Sequence, residues 1–101
     1  MAVAATAAKL NAESIRGWLN NRKGWKRRSN RLTKDFVFTH FRDSIVFVNR
    51  VATLADSLAH CPDIDVRDGT VTLTISSRDV GGITEKDLAF AEQIDFATSS
   101  G

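Results

Sequence analysis

Residues 41–76, FRDSIVFVNRVATLADSLAHCPDIDVRDGTVTLTIS, change their hydrophobic period in mid-stretch, and that change decides the fold class. From Phe41 to about His60 the apolar residues recur at three-to-four spacing. Phe41, Ile45, Val48, Ala52 and Ala55 make one stripe, and Phe47, Val51, Leu54 and Leu58 make a second beside it. Pro62 ends this helix by disfavouring helical geometry at Cys61. Asp68-Gly69 then supplies a tight hairpin turn. The strand after it alternates strictly, with Val71, Leu73 and Ile75 inward and Thr70, Thr72, Thr74 and Ser76 outward.

Outward from this stretch the elements repeat in the same order. On the N-terminal side Asn11 can cap a helix with Glu13 in its first turn, and Ile15, Trp18 and Leu19 lie on one face as far as about Asn21. Gly24 separates it from a hairpin in which Ser29-Asn30 turns the chain and Leu32, Lys34, Phe36 and Phe38 share one side of a strand. On the C-terminal side Gly81-Gly82 permits a bend, and Thr84 and Asp87 have the spacing of a capping box. Ile83 and Leu88 are placed to staple the entrance of a last helix running to about Ile94. The order helix, hairpin, long helix, hairpin, helix predicts an α+β domain, an antiparallel sheet with its helices on one face.

Length and composition set the class. The chain has 101 residues and 11.1 kDa, is 43% hydrophobic and 26% charged, and so fits one globular domain. That domain is expected over 10–97, with 1–9 and 98–101 as flexible ends. No apolar run is long enough to span a bilayer, and the start MAVAATAAKL lacks a basic leader, so a cytoplasmic protein is expected. Cys61 alone cannot close an internal disulfide, and with only His40 and His60 beside it a structural zinc site is disfavoured.

Charge is distributed unevenly. Residues 1–34 carry nine Lys or Arg against Glu13 alone, a balance of +8, whereas 35–101 carry five against eleven acids, a balance of −6. A basic segment around Trp25 has the look of a nucleic-acid surface, but the signal is weak, and only a salt-screened attraction to polyanions is expected of it. Nucleic acid is not the expected partner.

Gly24-Trp25, the Phe36-x-Phe38 strand end, Asp56-x-x-x-His60-x-Pro62-Asp63, the strand VTLTI and Gly81-Gly82-Ile83-Thr84-x-x-Asp87 together resemble the pterin-4a-carbinolamine dehydratases, also known as dimerisation cofactors of a homeodomain transcription factor. The resemblance covers about residues 10–96. It implies a four-stranded antiparallel sheet with three helices packed on one face, assembled as a homodimer or homotetramer. It also implies dehydration of a 4a-hydroxytetrahydropterin to the quinonoid dihydropterin, a step of tetrahydrobiopterin recycling that uses neither metal nor bound cofactor. That chemistry needs a proton for the leaving hydroxyl and the removal of one from a ring nitrogen, work that suits histidine.

The family supplies an acidic residue, a His-His-Pro and a third His before Gly-Gly. Here these correspond to Asp56, to His60, Cys61 and Pro62, and to Arg78, while an aromatic of the intervening turn is replaced by Asp68. The resemblance therefore makes His60 the main proton carrier, Asp56 its orienter four residues earlier on the helix, and Cys61 the occupant of a catalytic position. Arg78, Pro62 and Ser77 become substrate contacts. Cys61 can equally be a buried, inert thiol, because a free thiol titrates near pH ~8.5. Arg78 cannot accept a proton, and can equally pair with Asp63 or Asp79 on the surface. Asp87 is expected to serve the helix entrance, His40 to be a solvated helix start, and Trp25 to pack against the sheet. Loss of two of three family histidines also suits a non-catalytic binding or assembly factor, since relatives act as transcriptional cofactors or Rubisco assembly factors.

The doubled stripe of the long helix is wider than one core face needs, so part of it is expected to meet another subunit. Light scattering should return a dimer or larger at micromolar concentration; a mass of about one chain throughout that range would remove this expectation.

Overall fold

The computed structural model describes residues 8–99, and the side chain of Ser99 lies outside that description, as do most of the expected flexible N-terminus and the last two residues. Seven elements follow in the order α1 (Ala12–Asn20), β1 (Lys26–Arg28), β2 (Arg31–Val37), α2 (Phe41–Leu58), β3 (Asp63–Arg67), β4 (Thr70–Ile75) and α3 (Glu85–Ser99). The four strands form one antiparallel sheet in the order β1-β2-β4-β3. The fold is the α+β arrangement expected, with all three helices on one face.

Local chemistry places the turns. Asn11 caps α1 by accepting the Ser14 amide at 2.8 Å. Gly24, at φ +88°, lies two residues before β1, where a Cβ would meet Cε of Lys34 at 2.8 Å. Ser29 (φ 55°) turns the first hairpin, and Asp68 (φ 52°) with Gly69 (φ 89°) turns the second, both as read from the sequence. His40 precedes α2 in an extended conformation with no side-chain cap, the solvated start expected.

The alternation in β4 builds the core. Val71, Leu73 and Ile75 are fully buried beneath the helices, joined by Leu32 and Phe36 of β2. Ile15, Phe47, Val51, Phe90, Ala91 and Ile94 press on them from the helices. The two stripes of α2 divide. Phe47 and Val51 of the second stripe enter the core with Ala55 and Ser44, whereas Phe41, Ile45 and Leu58 stay exposed with Val46.

Two helix ends differ from expectation. α2 stops at Leu58 rather than near His60, because Ala59 takes a left-handed conformation (φ 53°) and the His60 amide returns to the Ala55 carbonyl at 3.0 Å. α3 continues to Ser99 rather than ending near Ile94, so the expected tail from 98 begins inside a helix. No Gly or Pro intervenes before Gly101, and Asp95 is held in place by Nε1 of Trp25 and Nζ of Lys34, each at 2.8 Å.

The indoles tie α3 to the N-terminal segment. Trp25 is buried, edge-on to Phe36 at 6.2 Å. Glu92 accepts Nε1 of Trp18 and a guanidinium N–H of Arg22, both at 2.9 Å. These bonds, the indole first and the guanidinium next, hold the Glu92 carboxyl below its ordinary value of 4.5. The unfolded chain therefore takes up a proton at Glu92 before the folded one does. The stabilisation is present above the unfolded value and is lost as pH falls through the folded one. Urea midpoints measured between neutrality and about pH 3 should fall less steeply for Glu92→Gln than for the parent; parallel curves would show that Glu92 does not carry this dependence.

Candidate active site

At the C-terminal end of α2 the chain turns through Ala59, and this turn aims His60 across at the first turn of α3. Nε2 of His60 lies 2.5 Å from Oδ1 of Asp87, whose side chain is fully buried. The imidazole itself is 15% exposed and stands edge-on to Phe90 at 5.8 Å. Because a carboxylate only accepts, Nε2 carries the proton of this bond and Nδ1 is left for other work.

Asp87 is the hub. Its Oδ2 accepts the Thr84 amide and Oγ of Ser77, each at 2.8 Å, and Oγ1 of Thr84 at 3.3 Å. Oγ1 of Thr84 in turn accepts the Lys86 amide at 3.2 Å. The spacing read as a capping box thus does cap α3, with Oδ2 of Asp87 on the Thr84 amide and Oγ1 of Thr84 on the Lys86 amide. Ser77 is fixed independently, since its amide donates to the Gly82 carbonyl at 2.8 Å and its carbonyl accepts the Gly82 amide at 3.2 Å, closing the loop through Gly81-Gly82. Among the described residues no buried side-chain nitrogen or oxygen lacks a hydrogen bond. A cavity of 190 Å³ opens beside the network, lined by Ala59, His60, Ser77, Asp79, Thr84 and Lys86. It offers an imidazole, two hydroxyls, a carboxylate and an ammonium, and among the described residues no cluster of His, Cys, Asp and Glu suits a metal ion.

The structure brings some expected residues together and separates others. His60 and Ser77 share the cavity. Among the described residues no hydrogen bond joins the Asp56 side chain to His60, since the left-handed turn at Ala59 breaks the four-residue helical relation. Locally the Asp56 backbone carbonyl accepts the Ala59 amide at 3.3 Å. Cys61 is exposed rather than buried, and neither it nor half-buried Pro62 lines the cavity. Arg78 donates to Asp63 at 3.0 Å with 80% of its side chain exposed, the surface pair that was one of its two readings. Sequence reasoning gave Asp87 only the helix entrance and passed over Lys86. The available signal was that a capping carboxylate uses one oxygen and leaves the other free for a partner; nothing in the linear order placed that partner 27 residues earlier.

Residues 8–97 match the family model described as pterin 4 alpha carbinolamine dehydratase. The chain belongs to that family. A Roseiflexus castenholzii protein bearing the dehydratase's name is 45% identical over 89 residues, covering 88% of this chain and 96% of its own. One from Thermomicrobium roseum is 40% identical over 87 residues, covering 86% and 94%. Among solved structures, a transcriptional coactivator/pterin dehydratase from Brucella melitensis superposes with a TM-score of 0.83 at 23% identity, over 87% of this chain and 96% of that one. A pterin dehydratase-like RuBisCO assembly factor of the alpha-carboxysome gives 0.58 at 24% identity, over 70% and 82%. These two likenesses show the shared fold.

If Asp87 is the hub, its removal leaves several buried donors short of their acceptor, whereas removal of Asp56 strands none. Urea unfolding should show Asp87→Ala destabilised by about 2–4 kcal/mol and Asp56→Ala changed by no more than about 0.5 kcal/mol. Equal effects would return the orienting role to Asp56.

Proposed function

We propose that this member of the family dehydrates a 4a-hydroxytetrahydropterin in the cavity beside His60, acting in the cytoplasm as a homodimer or homotetramer. The observation that carries the reading is the His60–Asp87 pair. An imidazole anchored through Nε2 by a fully buried carboxylate presents Nδ1 in a fixed direction, and fixed direction is what proton exchange with a bound substrate requires. The reaction delivers a proton to the 4a-hydroxyl, breaks the carbon–oxygen bond to release water, and takes a proton from a ring nitrogen. His60 exchanges these protons through Nδ1, and Asp87 is its positioning residue. Ser77 and Thr84 hold Asp87, and Lys86 at the cavity rim is placed to meet a pterin oxygen. Cys61 and Pro62 follow His60 closely enough to flank a substrate, and Arg78 reaches it only by leaving Asp63.

One observation favours a second reading. Two of three histidine positions of the family hold Cys61 and Arg78, both exposed and outside the cavity, so proton exchange rests on His60 alone. A partner-binding protein on the same fold needs no more. The likeness to a transcriptional coactivator and to a RuBisCO assembly factor is in keeping with partnering.

A dehydratase assay on freshly generated 4a-hydroxytetrahydropterin separates the two. His60→Ala should remove most of the activity, Cys61→Ala should change it little, and Cys61→His with Arg78→His should raise it at least ~10-fold, because a positioned acid or base contributes ~100-fold or more. A correctly folded double variant that neither binds a pterin analogue nor gains activity would replace the enzymatic reading with the partner-binding one.

A further inference from the structure

The sheet face away from the helices carries a charge pattern that the candidate active site does not use. Cross-strand partners share a face, so the pairings Lys26↔Thr33, Thr33↔Thr74 and Thr74↔Asp63 lay one row straight across the four strands, from a cation at the β1 edge to an acid at the β3 edge. The acidic end is neutralised within the chain, Asp63 by Arg78 and Asp65 by Arg67. The basic end is not. Lys26, Arg28 and Arg31 are all exposed and take part in no ion pair among the described residues, although Lys34 on the other face has one. Arg28 and Arg31 are moreover direct cross-strand partners, an arrangement that like charges disfavour.

This end adjoins a broad open depression of 1060 Å³ over the polar face, in which Lys26, Arg28 and Arg31 stand beside Thr33, Thr74 and Ser76. No aromatic side chain lines it, and Trp25 is buried on the core side, so it offers no ring on which a nucleobase could stack. β1 is an outermost strand of three exposed residues, with no strand beyond it among the described residues.

We propose that the β1 edge and the adjoining face receive an extended acidic segment of a partner protein, added as a fifth strand with Asp or Glu at alternate positions. Alternate residues of a strand are about 6.8 Å apart, so carboxylates two residues apart on the added strand meet Lys26 and Arg28 in step. Arg31 reaches the same segment from β2. Three consecutive cations repel an identical edge, and the segment that satisfies them is one of opposite sign. The inference is independent of the dehydratase reading, since none of these residues lines the cavity beside His60.

The test uses the full chain and a fluorescent peptide alternating Glu and Val, with a Gln-for-Glu peptide and an oligothymidylate of equal charge as controls. The acidic peptide should bind, the Gln peptide should not, and binding should slow amide exchange at residues 26–28. Lys26→Glu with Arg28→Glu should weaken binding at least about tenfold, whereas Arg42→Glu on α2 should not. Lys26→Gln with Arg28→Gln gives the same ordering if the reversed pair disturbs the fold by circular dichroism. Absence of binding, binding indifferent to both double variants, or binding without protection at 26–28 overturns the proposal. Oligothymidylate bound as tightly as the peptide overturns it in favour of nucleic acid, and a change of oligomeric mass in the double variants hands the edge to a second copy.

Discussion

A carboxylate with no exposure to water is tolerable only when its oxygens are fully occupied, and Asp87 meets that condition with groups from three separate parts of the chain. The Thr84 amide is local and starts α3. The Ser77 hydroxyl comes from the end of the sheet, and the imidazole from beyond the end of α2. One side chain therefore fixes the angle at which the last helix meets the sheet and the direction in which the histidine points. Neither arrangement could relax without leaving a buried charge short of partners.

Much of this was legible in the sequence because it rests on short-range rules. The period of two in β4, the three-to-four spacing in α2, and the turns at Ser29-Asn30 and Asp68-Gly69 need only local sterics and burial, and each stands where it was read. The site was legible only in part. His60 and Ser77 follow from the family resemblance, but the assignment of Asp56 as the partner assumed a helix continuing to His60. Ala59 in a left-handed conformation, with no Gly to announce it, ends the helix early and turns the ring toward a different acid. Backbone reversals at a non-glycine residue leave little trace in composition. The residues they bring together are separated by whole elements.

The family's fold and its chemistry part company at specific positions. The framework residues of the resemblance are used as the fold requires: Trp25 is buried against the sheet, Gly82 closes the loop to Ser77, and Thr84 and Asp87 cap α3. Cys61 and Arg78 lie outside that framework, exposed and engaged with solvent or with Asp63, so their replacement leaves packing untouched. The scaffold and the residues displayed beside it are therefore physically separable in this chain.

Both tryptophans of the chain donate their indole N–H groups to carboxylates of α3, and Phe90, Ala91 and Ile94 of the same helix complete the core. α3 follows every strand in the order of synthesis. A chain still lacking α3 would leave the apolar face of the sheet half-covered and both indoles without their acceptors, so the tertiary structure cannot be completed before that helix is made.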